Sequence, residues 1–574
     1  MTTPPVTTPP TPVPGTVYSG QSRPVSGATL ALYAVGTAGY GAGAQSLMTG
    51  SVTSDSNGHF DLAGAYDCSS STAKVYLVAT GGDAGAGANS AIGLMSALGD
   101  CGSIGSSTIV LNEITTISSV YALSQFMAPG SAVVGSTSTN AVGIANGFRT
   151  AKNLYDGTTG QLRAITPAGN GTIPQSKVNS LANILASCIK SAGGSVACSQ
   201  LFQAATLGGT APHNTVAAIL NIALQPGLNL HSFTLSGPYQ PSLAGQPNDW
   251  TLSVEYTGGG LNFGQLIAAD AGGNIWVPNA ISPGTLSEFS PAGEPLSGSS
   301  GFTGGGLSYP QAVAVDQAGS VWAVNVGNNA VSKHSASGVA VSGSGYTTSG
   351  LNLPYALALD RDGNVFTANG NNTVTKLNAS GAAVGQFQQG GLDFPYALSI
   401  DSSQNVWVAN YGYSNDVSKF SNSGTASSST GFTGGGISGA VGIALDAQGN
   451  AWVASFDRAV VSKFAQDGSA VSGSGYNIPA GGASIVVDGD NTVWTANMDG
   501  SISHLSSNGA AISPSTGYIS NGATAEVGIA IDLSGNVWTS DNYVNSVFEY
   551  IGAAAPTVVP LQVALKNNLI GKRP

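Results

Sequence analysis

The sequence predicts a mainly β protein: a seven-bladed β-propeller preceded by a small β-sandwich and a helical linker domain. Three observations predict the propeller. An aspartate closing a short apolar run recurs at Asp270, Asp316, Asp360, Asp401, Asp446, Asp488 and Asp532, and the intervals between these residues are 41 to 46 residues. An aromatic follows six residues after each, at Trp276, Trp322, Phe366, Trp407, Trp452, Trp494 and Trp538. A period of that length marks a propeller blade; a six-blade ring with a stray repeat is the weaker option.

In chain order, residues 1–15 read as a Pro/Thr-rich tether. Residues 2–14 (TTPPVTTPPTPVP) make a stiff polyproline-like spacer with no apolar core. No signal peptide is visible, and the tether suggests an export signal already removed, with a lipid anchor before residue 1 as one form of it. No run of about 20 apolar residues exists, so no transmembrane segment is expected.

Residues 16–110 read as a β-sandwich, because residues 20–33, 53–62 and 75–79 alternate like strands around an Asn57-Gly58 turn. The pattern resembles the carboxypeptidase-regulatory-like, transthyretin-type domains of secreted proteins, which implies a spacer or stabiliser. His59 beside Asp55 and Asp61 is read as a solvent-facing hairpin side chain, not a metal ligand.

Residues 111–235 shift toward a period of 3.6 and read as a helical linker domain. Ile114, Ile117, Tyr121, Leu123 and Phe126 fall near one stripe, predicting an amphipathic helix over 112–126. Further helices are expected over 138–155, 174–191 and 214–225, the third opening with Pro174. Cys68, Cys101, Cys188 and Cys198 form two local couples, and pairing each with its nearer neighbour predicts disulfides Cys68–Cys101 and Cys188–Cys198, though three connectivities are open. Disulfides fit an oxidising compartment.

Residues 248–560 form the propeller and 561–574 a C-terminal tail. The first strand of each unit is small and apolar, as in residues 312–316 (AVAVD) and 356–360 (ALALD), and suits the crowded inner position. Asp-x-x-Gly-Asn then turns the chain, since Asp bonds nearby amides and Gly or Asn tolerates positive φ. The second strand carries the aromatic, whose ring packs one sheet against its neighbour and buries roughly 150–250 Å². The third is Val-x-Lys-like, as in residues 331–334, 374–377, 417–420 and 461–464; the fourth is a looser Gly/Ser-rich stretch such as 338–346. Residues 251–256 (TLSVEY) form a strand without a blade of its own and are expected to close the ring as the outer strand of the last blade.

The run QNVWVAN at residues 404–410 resembles the NHL-type repeats of secreted bacterial proteins, with Gln404 for Gly, and is similar to the virginiamycin B lyase and gluconolactonase-like propeller families. The resemblance covers about half the chain and one such fold hosts many functions. The lyase likeness implies a catalytic His with acidic or metal-binding partners near the channel. The gluconolactonase likeness implies a Glu/Asn/Asp metal cage.

Composition limits the partners. Charged residues are 8% of the chain and the net charge is −12. A chain so poor in Lys and Arg does not hold a phosphate backbone by counterion release, so nucleic acid is not expected. The stretches Gly304–Gly306 and Gly434–Gly436 precede strands instead of opening helices, which removes phosphate cradling. No cofactor is expected.

The candidate ligand-binding residues crowd the loops before the first strands and between the second and third. They are Tyr309, Tyr355, Tyr396, Asn325, Asn369, Asn410, Tyr411, Asn497, Asp541 and Tyr543, with Asn328, Asn329, Asn371, Asn372, Tyr413, Asn415 and Asn542 beside them. Aromatic faces with amide donors and acceptors suit uncharged polar ligands, including glycans, and protein surfaces. His334 and His504 occupy scaffold positions of the repeat, and Glu288 and Glu549 occupy the third-strand Lys position. Asp457, Arg458, Asp499 and Asp541 are the charged loop residues. A non-catalytic recognition or scaffold protein at the cell surface is therefore expected, binding a glycan or protein. A propeller lyase or lactone hydrolase is the alternative, and self-assembly into a surface layer or filament a third.

Overall fold

A computed structural model describes residues 12–105 and 108–574, which divide into two units: the chain up to Thr166 with Ile173–Leu252, and Pro167–Thr172 with Ser253–Pro574. Most of the expected tether lies outside the described residues; Pro14–Ser19 is already a strand.

In the first unit, Pro14–Ser19 lies between Arg23–Pro24 and His59–Asp61 and pairs in parallel with Ile109–Leu111. A second sheet runs Gln45–Ser46, Thr29–Ala34, Lys74–Thr80, Gly93–Asp100. Thr29–Ala34 alternates buried and partly exposed residues as a one-face strand does. The helix Glu113–Leu123 differs from expectation: all of its residues are buried, so its polar side does not face solvent. The physical reason is its hydroxyls. Thr116 Oγ1 accepts from Met95 N and Ser119 Oγ from Ala97 N, each at 2.9 Å, while Thr215 Oγ1 of the helix Thr215–Leu224 accepts from Gly93 N at 3.0 Å. The outer strand Gly93–Asp100 is thus covered by side chains that satisfy its free amides, which removes a pairing edge.

Helices Ala141–Leu154, Gln175–Ile189 and Val196–Ala204 complete the set. Asn112, Asn140, Ser195 and Asn214 each cap a helix by accepting from a backbone amide of its first turn. Both disulfides form as the local pairing predicts, Cys68–Cys101 and Cys188–Cys198, the second joining two consecutive helices. Glu113 is wholly buried; the hydroxyls of Ser19 and Tyr239 donate to it, and burial pushes its carboxyl up.

The second unit is the propeller, with seven sheets. Their inner strands are Ala268–Ala269, Pro310–Val315, Pro354–Leu359, Pro395–Ile400, Ala440–Leu445, Gly482–Val487 and Glu526–Ile531, for blades 1 to 7. The repeated Asp, aromatic and Lys form one interlocked unit. In blade 5, Asp446 Oδ1 accepts from Gln448 N at 3.0 Å and Asn450 N at 2.8 Å, and Oδ2 accepts from Trp452 Nε1 at 3.0 Å. Lys463 Nζ then lies 4.4 Å from the Trp452 ring centroid and 3.5 Å from Asp446. The same cation-over-ring contact recurs at Lys333, Lys376 and Lys419. In blade 6, His504 stacks on Trp494 at 3.9 Å instead. In blades 1 and 7, Asn274 and Asn536 donate to both the turn aspartate and the glutamate that replaces Lys, Glu288 or Glu549.

Most fourth strands are shorter than expected: of the stretch 338–346, Ala340 makes an isolated bridge to His334 and Tyr346 pairs as part of Tyr346–Thr347, whereas blade 3 has Ala383–Phe387. Each carries an aromatic that lies against the second-strand ring: Phe302, Tyr346, Phe387, Phe432, Tyr476 and Tyr518, with centroids 5.5 to 6.2 Å from their partners. Blade 7 takes this residue from the other end of the ring. Ser253–Tyr256 pairs with Ser546–Tyr550, and Tyr256 stacks on Trp538 at 5.6 Å. The expected closing strand is therefore the outer strand of blade 7, extended further by Gly171–Thr172.

Residues 561–574 do not trail. The helix Leu561–Lys566 sits at the end of the channel where the Asp turns lie. Gln562 accepts from Gln317 N at 2.6 Å and donates to Asp360 O at 3.1 Å, and Arg573 pairs with Asp490 at 2.6 Å.

Candidate functional site

The loop face of the propeller is built on a layer of buried amides. Asn325, Asn369, Asn410 and Asn497 close their second strands and are wholly buried. Asn325 Nδ2 donates to Ser332 Oγ at 2.9 Å and its Oδ1 accepts from Ser308 N at 3.1 Å. Asn369 donates to Thr373 and Thr375, Asn410 to Asp416 and Ser418, and Asn497 to Ser501 and Ser503. These four expected site residues hold the loops from inside the blades. Asn279 of blade 1 does the same and was not singled out from the sequence.

Above that layer a second asparagine clips neighbouring blades together. Asn329, Asn372, Asn415 and Asn545 each adopt a left-handed backbone, and their side chains accept from the amides of Leu353, Phe394, Gly439 and Phe263 in the next blade around the ring, at 2.7 to 3.0 Å. Those recipients are themselves left-handed, with φ of 46°, 52°, 61° and 58°. Tyr309, at φ 47°, takes the same place in blade 2. For a residue with a β-carbon this conformation costs roughly 1–2 kcal/mol. Gly439 avoids that cost in blade 5. Blades 1 to 4 instead present Phe263, Tyr309, Leu353 and Phe394 there, the first three exposed by 42, 48 and 38%.

Around Phe394 these residues join an aromatic crescent across blades 3 to 5. Tyr355 stacks on Tyr396 at 5.0 Å with an interplanar angle of 18°, and Tyr396 meets Tyr411 at 5.6 Å. Tyr411 meets Phe456 edge-on at 6.4 Å, and Phe394 touches both Tyr355 and Tyr411, at 5.4 and 6.1 Å. Burial holds the Tyr355 and Tyr396 phenols above their ordinary value, with neighbouring tyrosines adding to it for Tyr396, so both are neutral donors at physiological pH. Exposed Asp457 lies against Gly439 at the edge of the crescent. Tyr413 and Tyr543 are also exposed.

Asp541 is wholly buried and accepts from Thr524 N at 2.5 Å, Ala525 N at 2.9 Å and Tyr543 N at 2.9 Å, tying two loops of blade 7 together. Opposite it in the strand pairing stands Glu526, also wholly buried. Glu526 Oε1 accepts from the Tyr550 hydroxyl at 3.2 Å, Oε2 has no hydrogen-bond partner, and burial, with Asp541 adding to it, pushes the carboxyl up to about 8. His334 is buried in its third strand, and His504 lies on Trp494 with its pKa pushed down to about 3 by burial. Both stand in the scaffold positions expected. Among the described residues no group of three or more His, Cys, Asp or Glu is arranged to hold a metal ion.

No protein-family model matches this chain, and no curated protein matches it in sequence. Solved structures do. A streptogramin B lyase is 15% identical, with a TM-score of 0.44 over 52% of this chain and 96% of that one. Selenomethionine-substituted virginiamycin B lyase from Staphylococcus aureus is 16% identical, with a TM-score of 0.45 over 52% and 98% of the two chains. A catalytically inactive form of that lyase with quinupristin gives 16%, 0.44, 52% and 98%. These are distant likenesses to propeller proteins, and the chemistry of the site is read from its own residues.

The sequence pointed to Tyr309, Tyr355, Tyr396 and Tyr411 on this face, and the structure brings the last three together. Phe394, Phe456, Leu353 and Phe263 were missed. The signal for Phe263, Leu353 and Phe394 was a bulky residue ahead of the inner strand, with Tyr309, in four consecutive blades; Phe456 instead follows the second strand of blade 5.

Proposed function

We propose that the aromatic crescent is the recognition surface of a non-catalytic binding protein that works outside the cytoplasm, and that its ligand is a glycan. The observation that carries this reading is the left-handed backbone at Phe263, Tyr309, Leu353 and Phe394. Strained backbone concentrates where a side chain is needed for its display, not for the fold. Stacked tyrosines beside the carboxylate of Asp457 offer flat apolar faces together with hydroxyl partners, the combination a pyranose ring requires. Two disulfides support an oxidising location, and no helix among the described residues is long and apolar enough to cross a membrane. The test is a glycan array on the full chain beside a variant carrying Tyr355→Ala and Tyr396→Ala. Glycan binding lost in the variant supports the reading; a glycan bound equally by both moves the site elsewhere. Capture of a protein that the same substitutions release would keep recognition and replace the ligand.

A second reading, a lyase or lactone hydrolase, has Glu526 in its favour. A carboxyl that stays protonated at neutral pH can serve as a general acid, and strongly shifted carboxyls concentrate at active sites. Mass spectrometry of a cyclic depsipeptide or a lactone incubated with the chain tests it: ring opening that Glu526→Gln abolishes would install this reading, and unchanged substrate would leave the binding protein.

A further inference from the structure

The axis of the propeller holds an apolar cavity of about 240 Å³, walled by the inner strands of all seven blades and floored by residues 557–571. One level of it is a ring of small side chains, Ala268, Ala314, Ala358, Ser399, Ala444 and Ala530, with Val486 in the remaining blade. Above and below them stand Val, Leu and Ile, with Ala269 in blade 1. Close-packed interiors leave few voids larger than a water molecule, and a leucine at one of these alanines would fill much of this one. The floor is fastened in place. Gln562 is held by Gln317 and Asp360, and Thr557 Oγ1 donates to Ile531 O at 3.0 Å. Tyr355 and Tyr396 stand on the same inner strands, two residues before the lining residues Leu357 and Leu398.

One polar side chain belongs to the walls. Ser399 is 7% exposed, lines the cavity, and its hydroxyl makes no hydrogen bond within the protein. Ser399 is the one side-chain hydroxyl of the walls, while the inner strands, each the edge of its sheet, also turn backbone groups toward the axis, so a ligand here displaces water from a mostly apolar lining and meets one free hydroxyl.

We propose that the axial cavity binds a small, mostly apolar molecule with one hydrogen-bonding group, of the size of a substituted phenol or a short-chain alcohol, with Ser399 as the polar contact. The site is separate from the crescent and does not depend on what the crescent recognises.

The test is calorimetric titration of the full chain with p-cresol and with toluene. Both bind saturably at one site. Ser399→Ala weakens p-cresol by about threefold to tenfold, the worth of one hydrogen bond, and leaves toluene unchanged. Ala358→Leu with Ala444→Leu fills the void and removes both. Absence of saturable binding to the wild-type chain, or binding that survives the filled variant, overturns the proposal. Where the filled variant fails to fold, a p-cresol-soaked crystal decides: density on the axis beside Ser399 supports the site, and density elsewhere or none refutes it.

Discussion

The ring of Tyr256 covers Gly293 so closely that a β-carbon there would lie 2.0 Å from it. Tyr256 is the outer strand of blade 7 and Gly293 a turn of blade 1, so this contact seals the ring. The same socket recurs between blades, with Gly338 under Phe302, Gly381 under Tyr346 and Gly468 under Phe432. Tyr256→Ala is expected to cost about 3–5 kcal/mol, as loss of a large buried aromatic does. Gly293→Ala destabilises too, because ring and backbone must both give way and φ there is 73°. Urea unfolding of each variant against Leu296→Ala, a change at an exposed residue, measures the difference.

Glu526 makes stability fall with rising pH. The unfolded chain releases this proton near its ordinary value of 4.5 and the folded chain near 8. Between those limits the folded state binds the extra proton, so each step up in pH favours unfolding. Glu526→Gln is expected to flatten the stability profile between pH 4.5 and 8 and to match the parent most closely near pH 4. Chemical denaturation across that range reads the slope, and an unchanged slope would place the titration on another group.

The strain at Leu353 is separable from its contacts. Leu353→Gly relieves the left-handed backbone, whereas Leu353→Ala keeps it. The glycine variant is expected to be about 1 kcal/mol more stable than the alanine variant, the reverse of the order at an ordinary loop position. Thermal unfolding of the pair measures it.

Ligand binding is expected to divide the tyrosines of the loop face. Tyr396 lies within the stack, in contact with Tyr355 and Tyr411, whereas exposed Tyr543 stands in blade 7. Tyr396→Ala is expected to weaken a crescent ligand by tenfold or more, roughly the 1.5–3 kcal/mol of one large buried side chain. Tyr543→Ala changes it little. Equilibrium titration with the glycan selected on the array separates the two, and equal losses would widen the surface to the whole ring of loops.

The blades were legible because Asp446, Trp452 and Lys463 bind one another: the Asp and an aromatic recur in all seven repeats, and the spacing records it even where His504, Glu288 or Glu549 replaces the Lys. The closing strand was legible for a related reason, since residues 251–256 alternate yet have no unit of their own. Helix Glu113–Leu123 misled because its hydroxyls, polar by type, are spent on the amides of a neighbouring strand. The site was harder. An asparagine reads alike whether it faces solvent or, like Asn369 and Asn497, bonds two hydroxyls inside a blade. Backbone handedness at Phe394 has no letter, because side-chain type speaks against it. The channel floor belongs to no repeat, and Gln562 shows its role only through Gln317 and Asp360.

The join between Tyr256 and blade 7 also dictates an order of events during synthesis. Tyr256 donates to Glu549 at 2.8 Å across a sequence separation of 293 residues. While the ribosome is still making blade 6, the first propeller strand has only Gly171–Thr172 to pair with, and every finished blade waits in an open arc. Loop closure over such a span is slow relative to local hairpin formation, so blades assemble early and the ring shuts last. The interval before closure is when exposed strand edges are available to other chains.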